Sequence, residues 1–273
     1  MIVIKTVNLN NGIEMPVLGL GLYKTLNLNE MQFSINYALE AGYRSFDTAQ
    51  MYENEDLLGQ ALNKSGISRE EIFITTKVDI HNMGYELTVK SFEDSLSRLQ
   101  TDYIDLFLIH WPGQQKERLL DTWRGLEDLY KAKKVRSIGV CNCLPKHLKW
   151  IEELGEIMPA VNQIERHPLL NQNGVYDNFK DIKLEAWGPL IRGNFDLPEL
   201  KHLSIKYSKT PAQIILRWDV QSGYIIIPKS ANRERINENA NIFDFNLDEE
   251  DMLLLDSLNN GLRTSKDPDT YDF

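Results

Sequence analysis

Residues 103–140 read YIDLFLIHWPGQQKERLLDTWRGLEDLYKAKKVRSIGV, and this stretch decides the fold class. Two apolar runs, residues 103–110 and 135–140, flank a polar segment, residues 118–132, in which apolar positions recur at helical spacing. Nearly continuous Val, Ile, Leu and Phe are typical of parallel strands that are buried on both faces. The stretch therefore predicts a strand, a crossover helix and a second, parallel strand.

The same alternation continues along the chain in both directions. Further strand-like runs lie at residues 18–22, 43–48, 72–78, 160–164, 182–187 and 224–228. Helical patterns lie at residues 29–41, 57–64, 86–99, 145–154, 198–207, 211–220, 233–239 and 248–258. Eight strands separated by helical segments, without a break in composition, predict an α/β (β/α)8 TIM barrel, in which residues 1–273 form a single domain.

A doubly wound sheet is the alternative α/β fold. That fold places a Gly-rich fingerprint after its first strand. Here Gly19-Leu20-Gly21 lacks the third glycine and a following helix start, so we interpret it as part of a turn. The barrel remains the predicted fold.

The N-terminal segment predicts a β-hairpin that caps the barrel. Val7 and Leu9 alternate with polar residues before Asn11-Gly12, and the alternation resumes after it. Asn-Gly between alternating segments predicts a type I′ turn. At the other end of the chain, a last helix and a tail follow the barrel.

Composition and charge exclude several classes of protein. The chain is 42% hydrophobic and 26% charged, which is ordinary for a globular protein. Its 30 Lys and Arg against 40 Asp and Glu give a net charge of -10, which disfavours nucleic acid as a partner. No apolar run reaches the length of a membrane span, and Met1–Asn8 lacks a secretory signal. We expect a cytoplasmic protein, and a monomer because no long apolar seam suggests a stable oligomer.

Cysteine usage indicates neither a disulfide framework nor a metal centre. The two cysteines, Cys141 and Cys143, are one residue apart, and no second ligand pair stands at a suitable spacing. The histidines form no metal-binding pattern either. We therefore expect no metal.

Polar residues that follow the predicted strands suggest where chemistry takes place, because active sites of this barrel lie at the carboxyl ends of its strands. Asp47, Tyr52, Lys77 and His110 all fall there. An ammonium beside a tyrosine favours the phenolate and lowers its pKa, and a carboxylate beside the lysine keeps that ammonium charged. With an imidazole to orient a carbonyl, the set predicts a general acid facing a carbonyl oxygen. Each residue alone has a structural explanation, but the four together favour the functional one.

Several motifs along the chain resemble the aldo-keto reductase family. They are Phe46-Asp47-Thr48-Ala49 with Tyr52 and Asn54-Glu55, His110-Trp111-Pro112, Gly139-Val140 with Asn142, Ile227-Pro228-Lys229-Ser230, and Arg235-Ile236-Asn237-Glu238-Asn239. The resemblance runs from the N-terminal hairpin to Asp267-Pro268-Asp269. Within the family, the compact loops and the ending are most similar to the bacterial branch of 2,5-diketo-gluconate reductases and glyoxal/methylglyoxal reductases.

The resemblance implies an NADP-dependent oxidoreductase (EC 1.1.1 type) that reduces aldehydes and ketones, such as small dicarbonyls or keto-sugar acids, to alcohols. Tyr52 would be the general acid, supported by Lys77 and Asp47, and His110 would orient the carbonyl. Trp187 would stack on the nicotinamide, Asn142 and Gln163 would hold its carboxamide, and Glu238 and Asn239 would reach the adenine. The implied NADP(H)-binding residues are Leu22, Tyr23, Cys141, Asn142, Gln163, Trp187, Gly188, Pro189, Leu190, Gly193, Ile227, Pro228, Lys229, Ser230, Arg235, Glu238 and Asn239. Tyr23 and Trp111 would wall the substrate.

The preference for NADPH also has a physical argument. Lys229, Ser230 and Arg235 gather positive charge and a hydroxyl at the last strand end and the helix that follows. The loops after the last two strands of this barrel often bind phosphate, and arginine binds phosphate bidentately. On an acidic chain, this cluster suggests the 2′-phosphate of NADP.

Three residues depart from the family pattern. Cys141 stands where serine is usual, and a thiol is a weaker hydrogen-bond donor than a hydroxyl. Trp187 replaces the commoner tyrosine, and Gly188 replaces a frequent serine. The segments 169–181 and 190–196 are also short, so we expect the coenzyme to be held less completely.

Two other functions fit the same predicted barrel. A Schiff-base lyase or aldolase would use Lys77 as a nucleophile and would need no NADPH. A non-catalytic coenzyme sensor is also compatible, because the fold alone does not determine function.

Overall fold

A closed barrel of parallel strands organises the computed structural model, which describes residues 4–273. Strands β1 (Thr6–Asn8) and β2 (Glu14–Pro16) form an antiparallel hairpin. The barrel strands are β3 (Leu20–Gly21), β4 (Ser45–Asp47), β5 (Phe73–Val78), β6 (Ile104–Ile109), β7 (Val135–Cys141), β8 (Val161–Glu165), β9 (Lys183–Trp187) and β10 (Ile225–Ile226). They lie side by side in sequence order, and parallel bridges Leu18–Ile226 and Gly21–Lys229 close the ring. The predicted (β/α)8 fold is confirmed, and the single domain over residues 1–273 stays a prediction.

Helices cover the outside of the barrel. They are α1 (Leu28–Glu40), α2 (Glu55–Ser65), α3 (Tyr85–Leu99), α4 (Lys116–Lys131), α5 (Pro145–Leu154), α6 (Pro198–Tyr207), α7 (Pro211–Gln221), α8 (Arg233–Ala240) and α9 (Glu249–Ser257). Proline begins α5, α6 and α7, where its missing N–H is not needed. Every predicted helix is found within about two residues of its expected bounds, which is the ordinary scatter of helix ends.

One crossover of the barrel is not helical. The connection from β8 to β9 contains a short 3-10 turn, Asp177–Phe179, in place of an α-helix. Its sequence carries Pro168, Gly174 and three asparagines, which are poor helix formers. The sixth βα unit is therefore incomplete, and the seventh crossover carries two helices, α6 and α7.

The hairpin is present, but its turn differs from the prediction. Gly12 N–H donates to Leu9 O at 2.9 Å, and Gly12 is the only residue of the loop with positive φ, at +82°. This is a three-residue loop with a type I turn and a glycine bulge, since a type I′ turn needs positive φ at both central residues. Asn11 keeps ordinary φ and donates to Arg136 O and Ser137 Oγ at 3.0 Å, which ties the loop to the start of β7. Residues 1–3, where the predicted N-terminal segment begins, lie outside the described residues.

The hairpin closes the amino-terminal end of the barrel. Leu9 and Met15 are buried and pack with interior side chains of the strands, among them Leu106, Leu108 and Val161. The plug is apolar and packs against the interior of the barrel at that end. The charged interior side chains Asp47 and Lys77 lie toward the carboxyl ends of their strands.

Truncation of the plug should destabilise the whole barrel. Met15→Ala removes a fully buried side chain, and we expect a loss of about 2–5 kcal/mol in the free energy of unfolding, measured by urea titration. Glu14→Ala is the matched control, because Glu14 is exposed on the same strand and should change stability by no more than about 0.5 kcal/mol. Equal midpoints for the two variants would contradict a structural role for the hairpin.

Candidate active site

The four predicted catalytic side chains come from four segments that end at the same rim. Asp47 ends β4, Lys77 lies near the end of β5, and His110 follows β6. Tyr52 ends a 3-10 turn, Gln50–Tyr52, between β4 and α2. Because the strands are parallel and adjacent, their carboxyl ends bring these residues together.

Lys77 and Asp47 form a buried ion pair. Lys77 Nζ donates to Asp47 Oδ1 at 2.6 Å and to Thr48 O at 2.9 Å. Burial lowers the pKa of Lys77, but the negative charge of Asp47, with Tyr52 and Cys141, raises it above its ordinary value. The ammonium therefore stays charged at neutral pH.

Tyr52 lies over this ion pair. The ammonium of Lys77 is 5.1 Å from the centre of the Tyr52 ring. Burial raises the pKa of Tyr52. The charge of Lys77 lowers the pKa of Tyr52, as the sequence analysis expected, but burial has the larger effect. The net direction is therefore opposite to the lowered pKa that the sequence analysis expected. The phenol holds its proton at neutral pH, which suits a proton donor.

His110 stands edge-on to Tyr52, with ring centres 5.5 Å apart. Burial, followed by the charge of Lys77, holds the pKa of His110 well below its usual range, so the imidazole is neutral. Its Nδ1 is buried and has no hydrogen-bond partner within residues 4–273. A neutral imidazole beside a phenol can orient a polar ligand oxygen without adding charge.

Two amide side chains lie next to the ion pair. Asn142, which follows β7 with φ at +59°, donates to His110 O at 3.0 Å and accepts from Trp187 Nε1 at 2.9 Å. Gln163 donates to Asp47 Oδ2 at 2.8 Å. Their amide nitrogens are thus engaged, and their oxygens keep acceptor capacity for a ligand N–H.

Glu185 is a further polar residue of this layer that the sequence analysis did not select. It lies on β9, is fully buried and accepts from Gln163 Nε2 at 2.8 Å. Burial and then the charge of Asp47 raise the pKa of Glu185 to about 8. The available signal was an acidic residue between two apolar residues, Leu184 and Ala186, within a predicted strand.

The expected phosphate-binding residues surround the start of α8. Arg235 is exposed in its first turn, and Lys229 is exposed and pairs with Glu30 at 3.6 Å. Ser230 is buried, and its Oγ accepts from the backbone N–H of Asn232. A helix N-terminus with flanking cations is a ready site for an anion.

The two residues expected to contact the adenine are less accessible than the basic residues at the start of α8. Glu238 accepts from the Thr210 hydroxyl, so its carboxylate already has a partner. Asn239 is buried. Their predicted contacts with a coenzyme stay predictions.

The loop after β9 leaves space beside two of its glycines for part of a ligand. Gly188 and Gly193 have φ of +64° and +87°, and no atom lies within 4 Å of where a Cβ would stand on either. A side chain at these positions would be strained and would fill that space. Together with the basic groups at α8, these turns fit a dinucleotide with its pyrophosphate over the loop. Pro189 and Leu190 continue the loop. Four other residues expected to contact the coenzyme are buried: Leu22, Cys141, Ile227 and Pro228.

Aromatic residues wall the remaining side. Tyr23 is exposed and lies 5.0 Å from Tyr52 between ring centres. Trp111 packs edge-on against Tyr271 at 4.9 Å. This contact brings the C-terminal tail to Trp111, one of the two residues expected to wall the substrate.

Over residues 4–273, no group of three or more His, Cys, Asp or Glu side chains is arranged to hold a metal ion. In the same part of the chain, no helix combines the length and the apolarity that crossing a membrane requires.

Comparison with known proteins places the chain in a family. The model of the aldo/keto reductase family matches residues 17–260. The chain is 50% identical to glyoxal reductase of Bacillus subtilis over 97% of this chain and 96% of that protein. It is 43% identical to methylglyoxal reductase DkgA of Escherichia coli O157:H7, over 97% of both chains.

A solved structure agrees with these relatives. The structure of this chain matches that of a Gox0644 variant in complex with NADPH. The TM-score is 0.93 and the sequences are 35% identical, over 99% of both chains. The fold and the site thus define a barrel oxidoreductase. The chain belongs to the aldo/keto reductase family, as its motifs indicated.

The buried neutral state of His110 should make the protein less stable in mild acid. The unfolded chain protonates this histidine near pH 6.5 and the folded chain does not. The free energy of unfolding therefore falls as the pH falls, by up to about 1.4 kcal/mol per pH unit for one group. In His110→Gln, the free energy of unfolding should therefore depend less steeply on pH, as measured by urea titrations between about pH 7 and about pH 5.

His147→Gln is the positive control for this measurement. Burial lowers the pKa of His147 to about 4, so its replacement should also reduce the slope. A slope unchanged in His110→Gln but reduced in His147→Gln would contradict the neutral state assigned to His110.

Proposed function

We propose that this protein is an NADPH-dependent reductase that converts small aldehydes and ketones, with dicarbonyls such as glyoxals as the preferred class, to alcohols. The observation that carries the proposal is the Tyr52 phenol over the buried Lys77–Asp47 pair, beside the imidazole of His110. A proton donor, a fixed cation and an orienting imidazole at one rim of the barrel suit the protonation of a carbonyl oxygen.

Tyr52 acts as the general acid. Its pKa is raised by burial, so it carries a proton at neutral pH, and the cation of Lys77 stabilises the phenolate that remains after transfer. Asp47 keeps Lys77 charged and in place. His110 donates a hydrogen bond that orients the substrate oxygen toward Tyr52.

NADPH, when bound, supplies the hydride that the carbonyl carbon gains. Asn142 and Gln163 would hold the carboxamide of its nicotinamide with their oxygens, and Trp187 would lie against the ring. Gly188 and Gly193 would let the loop approach the pyrophosphate. Lys229, Ser230 and Arg235 would hold the 2′-phosphate, since cations beside a helix N-terminus favour it.

The substrate class follows from the shape and chemistry of the walls. Tyr23, Trp111 and Tyr271 are large and aromatic, and the loops around them are short. These walls favour a small carbonyl compound over a bulky one. Relatives named as glyoxal and methylglyoxal reductases support this choice, whereas keto-sugar acids are the alternative class. The monomeric state and the cytoplasmic location stay predictions.

The Schiff-base alternative has less support. A lysine must be deprotonated to attack a carbonyl, and the pKa of Lys77 is raised by Asp47. A coenzyme sensor without turnover would not need the four catalytic groups together. Both alternatives predict no consumption of NADPH with glyoxal or methylglyoxal.

Removal of the phenolic hydroxyl should abolish turnover without abolishing coenzyme binding. For Tyr52→Phe we expect kcat to fall by about 100-fold to 10,000-fold, the range of one general acid. The fall would be measured as NADPH absorbance loss with methylglyoxal. NADPH affinity, followed by protein fluorescence, should change little.

Tyr130→Phe is the matched control, because Tyr130 is a half-buried tyrosine on α4. We expect its turnover to equal that of the unmodified protein. Normal kcat in Tyr52→Phe would show that another group supplies the proton.

Removal of Arg235 should weaken NADPH binding more than NADH binding. A charge-assisted hydrogen bond to phosphate contributes about 1.5–3 kcal/mol, so Arg235→Ala should raise the Kd for NADPH by about 10-fold to 100-fold. Arg233→Ala is the matched control, because Arg233 lies on the same helix and pairs with Glu40. Equal losses for NADPH and NADH would place the 2′-phosphate elsewhere.

A further inference from the structure

A second buried carboxyl group lies in the layer of the ion pair, and the proposed reaction has not used it. Glu185 on β9 pairs in register with Gln163 on β8, which pairs in register with Cys141 on β7. The three side chains therefore form one row across neighbouring strands. Asp47 and Lys77 face this row from β4 and β5.

Hydrogen bonds connect Glu185 to the cation. Gln163 Nε2 donates to Glu185 Oε2 and to Asp47 Oδ2, at 2.8 Å each. Asp47 Oδ1 in turn accepts from Lys77 Nζ at 2.6 Å. Three hydrogen bonds thus connect Glu185 with the ammonium beneath Tyr52, and all four side chains that form them are buried.

The positive charge in this layer balances only one carboxylate. Lys77 supplies one positive charge, and Asp47 already pairs with it. On the other side of Glu185, β10 contributes Ile225, which carries no charge. Among the described residues, Glu185 Oε1 has no hydrogen-bond partner. An uncompensated charge there would be costly, so the neutral acid is the favoured state at neutral pH.

We infer that Glu185 is a positioning residue, which in its neutral form holds the Gln163 amide against Asp47 and thereby sets the charge beneath Tyr52. This inference rests on the proposed function. Ionised Glu185 would add a second negative charge to the layer. A negative charge near a phenol raises its pKa, so Tyr52 would release its proton less readily.

The inference predicts an alkaline limit on activity that belongs to Glu185. The pKa of this carboxyl is raised to about 8 by burial and by Asp47. Reduction by the unmodified protein should therefore slow as the pH rises through that value. The other titratable groups that face Glu185 are Asp47, Lys77 and Cys141. The pKa values of Lys77 and Cys141 are raised, so neither of these two changes charge near pH 8.

Two variants of Glu185 separate positioning from simple packing. Glu185→Ala removes the acceptor of Gln163, and we expect kcat to fall by about tenfold, with less change in KM, as for a misplaced catalytic group. Glu185→Gln keeps an acceptor and stays neutral at every pH. It should recover most of the lost kcat but should no longer show the fall near pH 8.

A matched control and a coenzyme-free measurement complete the test. Glu127→Gln alters a buried glutamate on α4, far from the layer, and should keep the pH profile of the unmodified protein. Infrared difference spectra of coenzyme-free protein, recorded well below and well above pH 8, should show loss of a protonated carboxyl band. That band should be absent from Glu185→Gln and present in Glu127→Gln.

The outcomes distinguish this inference from the proposed function. An unchanged pH profile in Glu185→Gln, or full kcat in Glu185→Ala, would overturn the positioning role. If the unmodified protein reduces no carbonyl compound, the proposed function fails. The infrared band would then still decide whether Glu185 titrates near pH 8, and its absence would overturn the inference by itself.

Discussion

The buried ion pair between Lys77 and Asp47 constrains the rest of this structure. Removal of both charges from water costs several kcal/mol per ion, and their mutual attraction offsets this cost only with good geometry and additional hydrogen bonds. Thr48 O completes the shell of the ammonium, and Gln163 completes that of the carboxylate. The pair therefore requires β4, β5 and β8 to hold a fixed register around the ring.

The apolar plug at the opposite end strengthens this pair. Leu9 and Met15 seal the barrel below, so water can approach the charged layer only from the rim. In a low-dielectric interior, electrostatic interactions are stronger than in water, both for the attraction in the pair and for the penalty on an unpaired group. Hence burial, the largest influence on the pKa of Tyr52, His110 and Glu185, is set partly by residues that lie far from the chemistry.

The sequence was sufficient to predict features that depend on local pattern. Apolar runs located the strands, helical spacing of apolar residues located the helices, and chain order placed Asp47, Lys77 and His110 on one rim. It was insufficient for features that depend on neighbouring strands. The Glu185–Gln163 bond follows from the register of β8 and β9, and the pKa of Tyr52 follows from how deeply its ring is covered. The turn at Asn11 depends on bonds to β7, about 125 residues away.

The departures from the family pattern are related to one another through the amide layer. Cys141 stands where the family resemblance led us to expect a serine, and a thiol is a weaker hydrogen-bond donor than a hydroxyl. Trp187 adds an indole N–H, and this N–H donates to Asn142 Oδ1 at 2.9 Å. Asn142 needs such support, because its φ of +59° is a conformation that non-glycine residues adopt at a cost. The tryptophan thus fixes the amide of Asn142, the residue that follows Cys141 in the chain, so the two departures lie on either side of the same amide.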